Sequence, residues 1–470
     1  MSTAAVEAAA PRARPRARPA VPWILAMAVL LTLPLVTPRI RGADEIEYFA
    51  YLHSALFDRD LEFGNEYEHF WAQDPRGLAG FKGTFLDRRE PATGRHINFA
   101  PLGSALLWSP FYLLAHLALT AARALGASVP ADGFSRPYVM AVCYASWLYG
   151  VAGLLLLHRA LVRFAGVGEP AACWATAAML WGTPLLYYMT VAPGFSHADS
   201  LFVVSLLLWL SFELPRRGLG LGRALALGAV GGLAALVREQ DGLFLALPAA
   251  LLAVDGWRRR AGGRSLGLLA AMGAAALAVF SPQLFAYHAL NGSWGPSHLV
   301  RQKMTWWSPH FLSVLIDPGH GLFPWAPLLL LATGGLVLAL LRSREAATVA
   351  VALTLLLQVW INGSIESWTQ AGAFGSRRFI GATPLLAWGL ALLLAATLGR
   401  RGRRTVAAVL LAFTWWNVSL MAQFGLRLMD RQRLQWPRVA VNQVSAVPAH
   451  IGRAGWLFFT DRERLVREGP

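Results

Sequence analysis

Apolar runs of about 20 residues recur along most of this chain, divided by short polar stretches rich in arginine. Such a run crosses a bilayer as a helix, because hydrocarbon offers no other partner for backbone N–H and C=O groups. Runs over 21–38, 137–158, 171–190, 199–214, 222–238, 242–257, 265–287, 322–341, 346–362, 379–398 and 405–424 predict an all-α polytopic membrane protein with about 11 transmembrane helices. A further apolar run covers 101–122.

The largest early break in this pattern is the polar loop 42–98, which holds 11 of the 26 acidic residues. It opens on GADEIEYFAYLHSALFDRDLEFGN. Ile46, Phe49, Ala50, His53, Leu56 and Phe57 recur at helical spacing, which predicts a helix lying on the membrane surface. Asp44 followed three residues later by Glu47 fits a capping box, so Asp44 has a structural reading as an N-cap. A carboxylate held where a membrane cavity opens also has a catalytic reading. The spacing leaves both open. Asp58, Asp60 and Glu62 form a second acidic group.

Composition narrows the class. The 470-residue chain is 56% hydrophobic and 14% charged, against about 25% charged for a soluble domain. Its mean hydropathy is +0.45. The formal charge of +16 is carried almost wholly by arginine, since Lys82 and Lys303 are the two lysines. The arginines sit in short loops between apolar runs, which points to membrane topology and excludes a nucleic-acid interface. Cys143 and Cys173 fall in separate apolar runs and offer neither a disulfide framework nor metal spacing. Four loop histidines, His288, His298, His310 and His320, lack metal spacing and read as interfacial. Residues 1–20, with Arg12, Arg14, Arg16 and Arg18, form a basic tail expected to be disordered and cytosolic.

The arginines also test the role of 101–122. If that run spans, 15 arginines in later loops (Arg159 to Arg404) face away from the basic tail; if it lies in the outer interface, they join it. Positive residues favour the cytosolic side, so 101–122 is expected to be interfacial or re-entrant, part of a large first outer loop with juxtamembrane helices. The outer side then collects Asp44/Glu45, Asp58/Asp60, Arg136, FSHAD with His197 and Asp199, REQD with Arg238, and GAFGSRRF with Arg377 and Arg378. Each has an ordinary alternative: the arginines as headgroup anchors, Asp199 as a helix cap.

These motifs, in this order and on this side, resemble the GT-C superfamily of membrane glycosyltransferases. The resemblance is to bacterial relatives of protein O-mannosyltransferases and lipid A aminoarabinose transferases. It is carried by ADEIEYFAYLHSALFDRDLEF, NFAPLGSALLWSPFY, SRPY, FSHADSLF, REQDG, DPGHGLFPWAPLLLL and FGSRRF, and covers most of 21–400. It implies a catalytic module over 21–400 including the outer loop 42–122, with a last transmembrane helix and outer tail over 401–470. The donor it implies is a sugar on a polyprenyl phosphate, transferred at the outer face of the inner membrane to an envelope glycan, lipid or protein.

Residue by residue, the resemblance implies Asp44 as the essential acid, with Glu45 and Asp199 beside it in catalysis. Arg136, Arg238, Arg377 and Arg378 bind the donor phosphate, and Asp58, Asp60 and His197 position sugar or acceptor. Arg238 stands where a lysine is common, and Pro101 stands alone where many relatives carry two prolines. Two or three carboxylates could bind a divalent cation. Some GT-C enzymes need one, but the bacterial relatives this chain most resembles do not, so no metal or other cofactor is expected. Two other classes use the same features: a transporter or flippase of lipid-linked sugars, and a non-catalytic scaffold of envelope assembly.

Overall fold

The computed structural model describes residues 20–216, 220–370, 372–398, 402–461 and 464. The basic tail read from 1–20 lies outside these, Ala20 excepted, as do Arg217, Arg400 and Arg401. Among the described residues no strand forms, and two isolated bridge pairs are all the β structure present. The protein is an all-helical integral membrane protein.

Among the described residues, six helices are long and apolar enough to cross a membrane: Gly103–Ala124, Arg136–Phe164, Gly262–Asn291, Ala346–Gly363, Arg377–Thr397 and Arg403–Gly425. Shorter apolar helices occupy Trp23–Leu35, Leu221–Val237 and Leu328–Arg342. Several predicted runs are broken for local reasons. The run 171–190 divides into Glu169–Trp181 and Leu185–Thr190 at Gly182 and Pro184, where proline removes a donor and crowds the preceding turn. Likewise 322–341 divides at Ala326–Pro327, and 242–257 opens in a 3-10 turn over Glu239–Leu245 before its α-helix begins at Ala246. These spans do not reproduce the count of 11.

Small residues let helices approach closely. Gly335 and Gly389 face each other, and a Cβ on Gly389 would lie 2.2 Å from the Ala332 carbonyl oxygen. Gly103 abuts the backbone of Leu236 and Val237, where a Cβ would meet atoms at 2.3 Å. This brings the start of the 103–124 helix against the end of the Leu221–Val237 helix, whose C-cap is Arg238.

The 103–124 helix runs antiparallel to Arg136–Phe164. Tyr149 Oη donates to the Leu107 carbonyl at 3.0 Å, and His116 Nδ1 lies 2.7 Å from Tyr138 Oη. The upper part of Arg136–Phe164 in turn borders the exit of the first helix, with Trp147 Nε1 donating to Thr32 Oγ1 at 2.8 Å. The 103–124 helix therefore starts level with the middle of its partner and passes the partner's first turn at His116, before its own end at Ala124. Leu106, Leu113, Leu114 and Leu117 stay exposed along it.

The Asp44 helix (Ala43–His53) differs from expectation. It does not lie on a lipid surface: every residue from Glu45 to His53 is buried. Phe49 packs edge-on against Phe70 and Tyr112, and Tyr51 against Phe63. The hydrophobic spacing read from the sequence is a real helical face, but protein covers the other faces as well.

Candidate active site

The start of the Asp44 helix is capped differently from the sequence reading. Gly42, extended at φ −80° and ψ 149°, is the N-cap. Glu45, not Glu47, reaches back: its Oε2 accepts from Gly42 N at 2.7 Å and from Arg41 N at 2.8 Å. Asp44 is thereby released from capping. It sits in the first turn, at the positive end of the helix dipole.

Asp44 Oδ2 instead meets Arg377 Nη1 at 2.9 Å, with the Asp44 side chain 40% exposed and that of Arg377 17%. The Arg377 guanidinium lies over the Phe195 ring, 5.0 Å from its centroid. Phe195 leads into Ser196 and His197, where the next helix begins. Arg238 completes the group: Nη1 donates to His197 Nδ1 at 3.1 Å and to Ser196 Oγ at 3.3 Å. Tyr48 Oη, on the Asp44 helix, lies 2.9 Å from the same Ser196 Oγ. Four chain segments remote in sequence thus close one polar cluster at helix ends.

Arg378 borders this cluster. Its Nη2 donates to Ser367 Oγ at 3.3 Å, while Nη1 is buried without a hydrogen-bond partner. The charges acting on it are Arg377, Arg238 and Asp44. Three arginines against one exposed carboxylate leave a positive excess, suited to an anionic ligand.

Two further carboxyls on the Asp44 helix are buried. Burial pushes Glu45 up to about 7 against the pull of its backbone donors at Gly42, Arg41 and Gly194, and the Asp44 charge adds to the rise. Burial and then the Asp44 charge raise Glu47 well above the usual range, although Phe99 N donates to it at 2.5 Å. Asp44 is the partly exposed acid of this turn, and its neighbours are packed into protein.

Asp199 lies in the first turn of its helix, fully buried, with neither carboxylate oxygen in a hydrogen bond of normal geometry; Ser104 and Trp108 flank it. It does not cap the helix. Asp241, from REQD, accepts from Ser200 Oγ at 2.5 Å and is equally buried. The structure does not gather the remaining sequence candidates here. Arg136 is exposed at the first turn of its helix and forms no ion pair among the described residues. Asp60 accepts from Ser54 Oγ at 2.8 Å, and Asp58 pairs with His53 at 3.2 Å, at the far end of the Asp44 helix.

Sequence reasoning missed Phe195, Tyr48 and Ser196 as the apolar and hydroxyl lining of the arginines. Phe195 and Ser196 stand inside the FSHAD motif, which was the available signal. The loop histidines are also less interfacial than expected: His320 is buried with Nε2 2.8 Å from the Ala373 carbonyl, and His298 pairs with Glu90 at 3.2 Å. A cavity of about 350 Å³ between Asp255, Arg258 and Arg264 shares no residue with the Asp44 cluster.

No family model matches the chain, and no curated protein matches it. Among solved structures it is similar to the crystal structure of ArnT from Cupriavidus metallidurans bound to undecaprenyl phosphate. The match has a TM-score of 0.52 and 16% identity, covering 93% of this chain and 78% of that one. At this identity the likeness is one of fold. The particular fold it shares is that of ArnT, a likeness of architecture across nearly its whole length.

Proposed function

We propose that this protein is a glycosyltransferase that moves a sugar from a polyprenyl-phosphate donor to an acceptor hydroxyl at the outer face of the cytoplasmic membrane. The observation that carries the reading is the Asp44–Arg377 pair, set among Arg238 and Arg378 in an ArnT-like fold.

The chemistry follows from the charges. The acceptor oxygen forms the new bond to the sugar's anomeric carbon as the bond to the phosphate oxygen breaks. The proton of the acceptor hydroxyl passes to Asp44, the general base. The leaving polyprenyl phosphate gains charge, which Arg377, Arg378 and Arg238 hold through charge-assisted hydrogen bonds. Arg377 serves both sides of this exchange, orienting Asp44 before reaction and taking phosphate charge as it develops. Asp199 and His197 position the acceptor or sugar, and Glu45 acts through the backbone by fixing the turn that carries Asp44. Arg136, Asp58 and Asp60 lie outside the reacting group, with Arg136 drawing the anionic headgroup by long-range attraction. The arginine distribution supports a cluster facing the periplasm or exterior.

The test is transfer of label from a purified polyprenyl-phosphate sugar pool to envelope acceptors by the protein in lipid vesicles. Sugar release that requires the protein and fails in the Asp44→Asn variant supports the reading. Binding of the lipid without turnover, in wild type and variant alike, overturns it in favour of a carrier.

A further inference from the structure

The far end of the Asp44 helix holds a second polar cluster that the transfer reaction does not use. His53, its last residue, projects Nδ1 toward two carboxylates: Glu66 Oε1 at 2.8 Å and Asp58 Oδ2 at 3.2 Å. The three ligand atoms lie within 4.8 Å of one another. A π-turn over Ser54–Asp58 makes this meeting possible, because its wider ring closes from Arg59 N to the Ser54 carbonyl and carries Asp58 back beside His53. Arg59 then turns the chain at φ 61° toward the helix that bears Glu66.

The other ring nitrogen sets the chemistry. His53 Nε2 lies 3.3 Å from the Asp132 carbonyl oxygen, an acceptor that requires the proton on Nε2. A neutral His53 then turns its Nδ1 lone pair toward two carboxylates, so three acceptors converge with no donor among them. Positive charge satisfies this arrangement, either as a proton on the imidazole or as a bound metal ion. A proton satisfies one Nδ1–Oε1 line. It leaves Glu66 Oε2 buried and without a partner, in a side chain with no exposed surface. A divalent ion engages all three residues at once. The carbonyl contact to Nε2 is the outer support that metal-bound histidines ordinarily have. Phe134 and Phe57 stack on the ring at 3.8 and 4.9 Å, fixing its plane. Asn65 Nδ2 holds Asp58 Oδ2 at 2.9 Å. The Asp58 side chain is 32% exposed, which opens one side to an entering ion and to a water ligand.

We propose that His53, Asp58 and Glu66 form a structural site for a zinc-class divalent cation. One imidazole and two carboxylates suit a borderline ion with bonds of about 2.0–2.2 Å and a fourth, water-filled position. A tetrahedral arrangement places ligand atoms about 3.3 Å apart; here Nδ1 lies 2.8 and 3.2 Å from the two carboxylates, with all three atoms within 4.8 Å of one another. The ion ties the end of the Asp44 helix to the helix Gly64–Gln73, roughly 13 Å along the axis from Asp44. Its role is to brace the first outer loop, separately from transfer.

The experiment uses the full-length protein in detergent, passed over chelating resin and then loaded with Zn²⁺. Retained metal is counted by mass spectrometry and the melting temperature is followed. The expected result is a single zinc ion per chain, a melting temperature that falls with chelator and returns with Zn²⁺, and visible ligand-field bands after Co²⁺ loading. His53→Gln and Glu66→Gln should retain no ion. Asp58→Asn changes a partly exposed ligand without touching the core, so it should fold normally and lose the ion under the same wash. Zinc retained equally by wild type, Asp58→Asn and His53→Gln overturns the site. So does a wild-type protein that keeps no metal and melts identically with chelator, which leaves a protonated His53 as the cation.

Discussion

Asp44 Oδ2 lies 2.9 Å from Arg377 Nη1, and the same guanidinium rests on the face of Phe195. The pair joins the first polar loop to a turn near the start of the Arg377–Thr397 span. It exists because Glu45 takes over the cap at Gly42 and leaves Asp44 uncommitted.

That arrangement separates stability from activity at Asp44. Asn occupies nearly the same volume and no cap is lost, so Asp44→Asn should melt within a degree or two of wild type while losing its ion pair, which is worth about 0–1 kcal/mol at partial exposure. Without a carboxylate to take the acceptor proton, transfer should fall at least about 10²-fold. Rates from a purified donor pool, with melting curves on the same samples, decide it; near-normal transfer would remove Asp44 from the chemistry.

Arg238 and Arg378 are expected to act on the donor. Arg238→Gln or Arg378→Gln removes one charged donor of hydrogen bonds, costing about 1.5–3 kcal/mol of binding, or roughly ten- to a hundredfold in Kd. Expression and melting temperature should change little. Equal affinity of both variants and wild type for a polyprenyl-phosphate sugar, measured by lipid-binding titration, would make these arginines headgroup anchors.

Glu45 makes a pH prediction. Its ordinary value of 4.5 rises to about 7 on folding, chiefly by burial. The unfolded chain therefore gives up this proton first, and the group's contribution to stability declines as pH rises from about 4.5 to about 7. Glu45→Gln keeps an acceptor for Gly42 N and Arg41 N and removes the titration. The melting temperature of the variant should fall less than that of wild type across this window. Parallel curves would mean that Glu45 is solvated as an ordinary carboxylate.

Topology is checked by reporter fusions. A fusion after Arg264 or Arg404 should report the cytosol, and one near Gly363 or after Arg433 the outside. Reversed signals at Arg264 and Arg404 would show that the 103–124 helix crosses the membrane, and would place the Asp44 cluster and the long basic loops on the same side.

The helical, membrane-embedded character of the protein was legible in the chain because hydrocarbon forces each apolar run to satisfy its own backbone, a constraint local to the run. The helical face of Ile46, Phe49, Ala50 and His53 was legible for the same reason: periodicity depends on neighbours a turn away. The FSHAD, REQD and GSRRF motifs marked where charge sits at helix ends. What covers a helix, and which charges meet, depends on segments hundreds of residues apart, and no local pattern encodes that distance. Tertiary packing alone buried the Asp44 helix on all sides, set the cap at Gly42 and Glu45 rather than Asp44 and Glu47, and brought Arg377 to Asp44. It also turned Asp58 away from that cluster and against His53 and Glu66, through one widened turn whose hydrogen bond leaves no mark in composition or spacing.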